Sequence, residues 1–219
     1  MELNNWLSDN YIEIFGAVTG ILYVFLEIRQ NIWLWSVGIA TSAVYIIVFF
    51  TNKFYADMSL QGYYLVISVL GWYWWLRGGG QRAQGKGQSE GDEKIELPSL
   101  EGMGVGNDEK ERLFVSRLKA KTGIILALVF VVLYTVMWLV LDRLTDSPVP
   151  EWDSFITSLS IIATWMLARK IYEHWYLWII VNAASVILFI TRGLYPTVIL
   201  YLIYFAMSFV GLRAWKRSL

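Results

Sequence analysis

The sequence predicts an all-α integral membrane protein with seven transmembrane helices, ordered 3+1+3 as two parallel three-helix repeats joined by a central helix. Three observations predict this fold class. Hydrophobic residues make up 57% of the chain and charged residues only 16%, with a mean hydropathy of +0.49. Seven apolar runs are each long enough to cross a bilayer, which takes roughly 17–25 residues. Two stretches in the two halves of the chain also resemble each other.

The composition excludes several classes of protein. A soluble globular domain carries about 25% charged residues, well above the share found here. The absence of cysteine and the single histidine, His174, leave no residues for a disulfide, an iron–sulfur cluster or a Cys-rich metal site. We therefore expect no metal and no cofactor. The 18 basic and 18 acidic residues balance, so no nucleic acid partner is expected. The start, MELNNWLSDN, lacks the features of a removable signal peptide.

The seven predicted spans follow in order along the chain. The alternative, a soluble protein with buried helices, would need polar helix faces for solvent, and these runs offer almost none. The predicted spans are Ile12–Ile28, Ile32–Phe50, Met58–Leu76, Gly123–Leu141, Trp152–Ala168, Trp175–Thr191 and Leu194–Leu212.

The distribution of Lys and Arg predicts the orientation, because cytoplasmic loops carry an excess of both. With the N-terminus outside, fifteen of the 18 basic residues fall on the inner side, and Lys53, Arg143 and Arg192 fall on the outer side. Nine of the fifteen belong to the long loop after the third span, and without them six inner residues still face three outer ones. The N-terminus is therefore expected outside and the C-terminus in the cytoplasm.

Residues 77–122 are predicted to form a flexible cytoplasmic linker. The segment 77–112 is rich in glycine and charge and poor in aromatic residues, so it cannot bury enough apolar area to offset the entropy of ordering. Two interpretations stand for LFVSRLKAK, residues 113–121. It is either a short amphipathic helix on the inner leaflet or the basic flank of the fourth span.

An internal repeat relates the two halves. The stretch 52–75 aligns with 192–215 at an offset of 140 residues. Upstream, an alignment with a three-residue gap pairs Trp35 with Trp178 and Ser42 with Ser185. The identical pairs at offset 140 are Tyr55/Tyr195, Leu60/Leu200, Tyr64/Tyr204, Ser68/Ser208, Gly71/Gly211 and Trp75/Trp215.

The repeat explains the fourth span. A three-helix unit ends on the opposite side of the membrane from its start, so one further span gives the second copy the orientation of the first. The predicted units are 1–76, the connecting helix 123–141, and 152–219. Proteins built from parallel repeats often hold a small-molecule site at the repeat interface near the bilayer midplane.

Candidate binding residues lie on the helix faces that carry polar groups. On the sixth span Trp178, Asn182 and Ser185 share a face. An Asn in hydrocarbon needs a partner, and an interhelical hydrogen bond contributes only ~0.6–2 kcal/mol, so helix–helix contact and ligand contact are both open interpretations. The gapped alignment places Ile39 opposite Asn182, and an amide in one copy only favours an asymmetric ligand. The candidates are Trp178, Asn182, Gln61, Trp35, Tyr64, Tyr204 and Ser185.

The position of charged residues favours passive passage of a ligand. No Asp, Glu, Lys or Arg lies in the middle of a predicted span; Glu27, for example, is near a span end. Ion-coupled carriers usually keep such groups within the membrane. The linker has no phosphate-binding GxxxxGK[ST] motif, and the chain shows no constellation for a catalytic residue, so an enzyme is not expected.

Two stretches then resemble a known family, the PnuC family of bacterial vitamin transporters. The resemblance implies seven helices, a homotrimer in the inner membrane, and facilitated diffusion of nicotinamide riboside for NAD biosynthesis, with trapping by phosphorylation inside the cell. A WxxxN element that contacts the nucleoside maps onto Trp178 and Asn182, and a polar contact from the third helix maps onto Gln61. The stretches are NIWLWSVGIATSAVYIIVFFTNKFYADMSLQGYYLVISVLGWYWW at 31–75 and LARKIYEHWYLWIIVNAASVILFITRGLYPTVILYLIYFAMSFVGLRAW at 167–215.

The resemblance leaves the vitamin open. Nicotinamide riboside carries a pyridinium cation, which a Trp face attracts by ~0.5–2 kcal/mol, so the expected site needs no carboxylate. Thiamine carries a cationic ring as well, and riboflavin carriers belong to the same group. A ligand-binding membrane sensor is the alternative from another class of protein.

Overall fold

The computed structural model describes residues 11–51, 55–77, 114–145 and 148–219, and these form seven α-helices. Each predicted span corresponds to one helix, so the all-helical fold class is confirmed, and the predicted bounds differ from the observed ones by a few residues. The helices are α1 (Tyr11–Ile28), α2 (Trp33–Thr51), α3 (Tyr55–Arg77), α4 (Ala120–Leu144), α5 (Pro150–Ala168), α6 (His174–Thr191) and α7 (Tyr195–Lys216).

Four of these helices, α2, α4, α6 and α7, are long and apolar enough to cross a membrane. The apolar part of α1, Ile14–Ile28, is shorter. Helix α5 is more polar, but its polar residues Ser154, Ser158, Ser160 and Thr164 are buried inside the protein. The composition of α5 therefore reflects contacts with neighbouring helices rather than an exposed polar face.

Six helices form a closed ring. Each contacts the next in the order α1, α2, α3, α5, α6, α7 and back to α1. Helix α4 stands outside this ring, packs against α5, and buries none of its residues. Two three-helix units joined by one helix would give this order, although the 3+1+3 arrangement across a membrane stays a prediction.

The turns after α1 and after α5 are built alike. Gln30 has a φ of 52° and Lys170 a φ of 50°, in the left-handed region that non-glycine residues seldom adopt. In both turns the next backbone N–H, of Asn31 or Ile171, closes the end of the preceding helix with a 2.9 Å hydrogen bond. The two positions are 140 residues apart, so the repeat extends upstream of the stretch that the identities mark.

Side-chain packing shows the same offset, and the three-residue gap in the predicted alignment is wrong. The gap placed Trp35 opposite Trp178 because it matched one tryptophan-rich triplet to another. The structural counterpart of Trp35 is Trp175, since each packs on a glycine and meets a second tryptophan edge-on, with ring centroids 5.5 and 6.0 Å apart. The equivalent sets are Trp35 with Gly71 and Trp75, and Trp175 with Gly211 and Trp215.

These tryptophans lie at one end of the bundle, where α1, α3, α5 and α7 end and α2 and α6 begin. Much of the buried hydrophobic core is here, including Leu34 and Leu167. Lys170 lies over the Trp75 ring, with Nζ 4.2 Å from the centroid, and Arg169 lies over Trp74 at 4.9 Å. We call this the basic end of the bundle, after Arg29, Arg77, Arg169, Lys170 and Arg213.

Residues 114–119 are extended and attached to the turn between α5 and α6. Ser116 forms an isolated parallel bridge with Ile171, and the Leu118 N–H donates to Glu173 Oε2 at 2.8 Å. This segment is not the amphipathic helix considered above, and the predicted linker 77–122 extends too far at its C-terminal end. Its segment 78–113 lies outside the described residues.

Candidate functional site

A cavity of about 310 Å³ lies inside the ring of six helices. All six contribute to its lining, with Tyr23 from α1, Ser42 from α2, Gln61 from α3, Ser160 from α5, Asn182 from α6 and Tyr204 from α7. Small-molecule sites typically occupy roughly 300–1,000 Å³. Aromatic rings alternate here with hydroxyl and amide groups, which suits a small molecule that has both a ring and polar substituents.

Five of the seven predicted binding residues line this cavity: Trp178, Asn182, Gln61, Tyr64 and Tyr204. They come from α3, α6 and α7, so the fold brings together side chains that are more than 140 positions apart in sequence. Their contact with a ligand stays a prediction.

Trp35 does not line the cavity. Its side chain is fully buried at the basic end, against Gly71 and the edge of Trp75. Its selection rested on the gapped alignment with Trp178, and the packing shows that Trp35 is a core residue.

Ser185 lines a different cavity. This second cavity, of about 320 Å³, lies among α3, α4, α5, α6 and α7, and shares Ile156 and Tyr201 with the central one. The Ser185 hydroxyl is buried and has no hydrogen-bond partner among the described residues. Ser185 is therefore near the predicted site but separated from it.

Asn182 makes the interhelical contact that one interpretation expected, and it lines the cavity as well. Its Nδ2 donates to Ser208 Oγ at 3.0 Å, and Ser208 Oγ donates to the Tyr204 carbonyl at 2.8 Å. Because the Ser208 hydrogen is used on that carbonyl, its oxygen accepts, and this sets the amide orientation. Among the described residues, no protein group bonds to Asn182 Oδ1, which leaves the carbonyl oxygen for a ligand.

Trp178 lies one helical turn before Asn182 on the cavity wall. The indole Nε1–H is buried and has no acceptor among the described residues. A buried donor without a partner loses its hydrogen bond to water, at a penalty of ~1–3 kcal/mol. Trp178 therefore presents an aromatic surface at the cavity wall, while its N–H is enclosed by protein atoms.

The constant offset of 140 changes which residues of the two halves correspond. Trp178 corresponds to Gly38 and Asn182 to Ser42, rather than to Trp35 and Ile39 as the gapped alignment had them. All four line the cavity. The second half thus contributes a large ring and an amide where the first contributes a glycine and a hydroxyl, so the cavity is asymmetric although the fold is repeated.

A buried carboxylate and histidine were missed by the sequence analysis. Glu27, in the last turn of α1, lines the cavity and is 2% exposed. Its Oε1 lies 3.0 Å from Nε2 of His174, the first residue of α6, which is fully buried. The expectation that the site has no carboxylate is wrong, because Glu27 was assigned to a span end and its inward direction was not visible in sequence.

An alignment without the gap would have indicated that both Glu27 and His174 are buried. At offset 140, Glu27 corresponds to Leu167 and His174 to Leu34, and both leucines are fully buried. A charged residue opposite a core leucine in each half is a signal of a buried pair. Among the described residues, no group of three His, Cys, Asp or Glu side chains lies close enough to hold a metal ion.

Comparison with known proteins decides the family. The sequence matches the family described as nicotinamide mononucleotide transporter over residues 10–217. The chain belongs to this transporter family. Its members are transporters, so the ring of helices and its central cavity belong to a membrane transport protein.

Individual relatives in this transporter family differ in the vitamin that they are named for. The nicotinamide riboside transporter PnuC of Escherichia coli (strain K12) is 29% identical over 215 residues, which cover 95% of this chain and 86% of the relative. The riboflavin/roseoflavin transporter RibM of Streptomyces davaonensis is 24% identical over 221 residues, with 96% and 92% covered.

A solved structure shares the fold. The crystal structure of the vitamin B3 transporter PnuC superposes with a TM-score of 0.67 at 23% identity, and the match covers 98% of this chain and 84% of that one. This likeness supports the all-helical membrane transporter fold.

Proposed function

We propose that this protein is a membrane transporter that imports nicotinamide riboside by facilitated diffusion. The observation that carries the proposal is the pair Trp178 and Asn182 on the wall of the central cavity. The ring offers a stacking surface at the cavity wall, and the amide offers a fixed carbonyl oxygen. A pyridinium ring with a ribose and a carboxamide has the matching features: a cationic π system, hydroxyl donors and polar acceptors.

Facilitated diffusion follows from the groups that surround the cavity. The carboxylate found there, Glu27, is already paired with His174, whereas ion-coupled carriers keep exchangeable charged groups along the path. We infer that a concentration gradient drives uptake and that phosphorylation inside the cell maintains it, because phosphorylation lowers the concentration of the free compound on the inner side.

Two alternatives within the family remain candidates. Thiamine also carries a cationic aromatic ring, and RibM is named for riboflavin. Riboflavin has a three-ring system that is much larger than a pyridinium, and the cavity is at the small end of the usual range. This favours a ligand with a single aromatic ring. A membrane sensor would bind the same ligands without moving them across the bilayer.

The decisive experiment combines binding with flux. We expect the purified protein to bind nicotinamide riboside more tightly than thiamine or riboflavin in side-by-side titrations. In liposomes it should equilibrate the labelled compound without ATP or an ion gradient. Strict dependence on a proton or sodium gradient would contradict facilitated diffusion, and binding without flux would favour a sensor.

The resemblance to PnuC also implies a homotrimer in the bacterial inner membrane, with the N-terminus outside. Helix α4 buries no residue within one chain, so its apolar surface is open to lipid or to another copy. Native mass spectrometry of the purified protein should give the mass of three chains, and a single-chain mass would contradict the trimer.

A further inference from the structure

We propose that Glu27 is a specificity-determining residue that selects positively charged ligands, and that His174 is the positioning residue that holds its carboxylate. This inference rests on the proposed function, since it concerns the ligand of the same cavity. It adds Glu27 to the predicted ligand contacts, which so far are the WxxxN element and Gln61.

Hydrogen bonds at its backbone and at its side chain fix the position of Glu27. Its backbone carbonyl accepts a 3.0 Å hydrogen bond from Trp215 Nε1, and its Oε1 faces His174 Nε2 at 3.0 Å. The side chain lines the cavity. No described residue bonds to the other carboxylate oxygen, Oε2, so one oxygen is held by the protein and one is left for a ligand.

The hydrogen bonds of His174 decide how many protons the pair holds. Nδ1 lies 2.7 Å from the Ile171 carbonyl oxygen, which accepts and cannot donate, so Nδ1 carries a hydrogen. Nε2 and Oε1 then share one further proton. The pair is an imidazolium with a carboxylate, or a neutral imidazole with a carboxylic acid, and its total charge is zero in both forms.

The surroundings favour a charge-separated pair when a cation occupies the cavity. His174 packs against the rings of both Trp175 and Trp215, with centroids 4.7 and 4.6 Å away, and nearby aromatic rings favour a cation. The positive end of the pair is then turned away from the cavity and stabilised by the two indoles. The negative end is turned toward the cavity, where a positively charged ring gains from it.

A neutral ligand of the same shape would gain much less. Nicotinamide riboside and its dihydro form differ in the charge of the ring, so the ratio of their affinities reports on charge recognition. Stacking on Trp178 also prefers the cation. The informative quantity is therefore the change in this ratio when Glu27 is altered.

The test uses the full-length purified protein and both compounds. Glu27→Gln keeps the shape and can still bond to His174, but it carries no charge. We expect it to weaken binding of nicotinamide riboside by about 10- to 100-fold, as expected for hydrogen bonds to charged groups, with a much smaller change for the dihydro form. Glu27→Asp should keep part of the preference for the cation. Glu151→Gln, on an exposed residue in the first turn of α5, is the matched control and should change neither affinity.

The outcomes separate this inference from the proposed function. An unchanged ratio in Glu27→Gln would overturn the inference while nicotinamide riboside remains the ligand: equal loss of both affinities would show a structural role, and no loss of either would show no contact with the ligand. If Glu27→Gln does not fold, a Glu27→Asp ratio equal to that of the unaltered protein would overturn it. If the unaltered protein binds neither compound, the proposed function fails as well.

Discussion

At the scale of single residues, Asn182 makes a structural contact with one end of its amide and leaves the other end for the binding role that we propose. Its Nδ2 joins α6 to α7 through Ser208, and its Oδ1 has no protein partner among the described residues. Helix–helix contact and ligand contact are therefore compatible interpretations of Asn182. The hydrogen bond to Ser208 fixes the direction of the amide, and a fixed acceptor loses less entropy when it binds a ligand.

The aromatic face of Trp178 at the cavity wall gives a prediction about stacking. Trp178→Phe keeps an aromatic face that attracts a cation less strongly than Trp does, so we expect about two- to tenfold weaker binding of nicotinamide riboside. Trp178→Ala should lose more, because the stacking surface is lost. Trp138→Phe is the matched control, since Trp138 Nε1 on α4 is also buried without a partner among the described residues but lies outside the ring. Titration of all three variants checks this. Unchanged affinities in both Trp178→Phe and Trp178→Ala would assign Trp178 a packing role.

At the scale of helices, the sequence was sufficient for the elements but not for their alignment. Seven apolar runs predicted seven helices because helix length is set by the bilayer and apolar composition is a strong signal. The gap in the repeat alignment arose from matching WLW to YLW, two triplets with similar letters. The packing of Trp35 on Gly71 and of Trp175 on Gly211 depends on helix contacts, which residue identity alone does not encode.

The glycines under these tryptophans predict a matched effect in both halves. A Cβ on Gly211 would collide with the Trp175 ring, and one on Gly71 would lie 2.5 Å from Trp35. Forcing extra volume into a packed core typically destabilises by ~1–3 kcal/mol. We expect Gly211→Ala and Gly71→Ala to lower the thermal midpoint of the purified protein.

Gly62, in α3, is the control for this experiment. Nothing lies within 4 Å of a Cβ at this position, and alanine favours a helix over glycine by roughly 0.5–1 kcal/mol. Gly62→Ala should leave the midpoint unchanged or raise it. If all three alanine variants behaved alike, the close approach of ring and glycine would not contribute to stability.

At the scale of the whole molecule, a repeated fold encloses an asymmetric site. The matching turns at Gln30 and Lys170 and the two tryptophan–glycine sets preserve the repeat, and they lie at the basic end. The cavity is lined both by identical pairs, such as Tyr64 and Tyr204, and by positions that differ, such as Gly38 and Trp178. The positions that differ make the two walls of the cavity unlike each other. The burial of Glu27 was missed because an acidic residue in the last turn of a helix is usually solvated and because the gapped alignment hid its buried counterpart, Leu167.

The orientation of the molecule in the membrane can be tested directly because the chain has no cysteine. The positive-inside tendency places the basic end of the bundle in the cytoplasm. Glu151, in the first turn of α5, lies at the opposite end, and Leu219 lies at the basic end.

In intact cells whose periplasm is accessible, a membrane-impermeant maleimide should label Glu151→Cys. It should label Leu219→Cys only after the inner membrane is permeabilised. Both positions are exposed, so a difference in labelling reports the side of the membrane rather than burial. The reverse pattern would invert the orientation and place the Glu27–His174 pair at the outer end of the cavity.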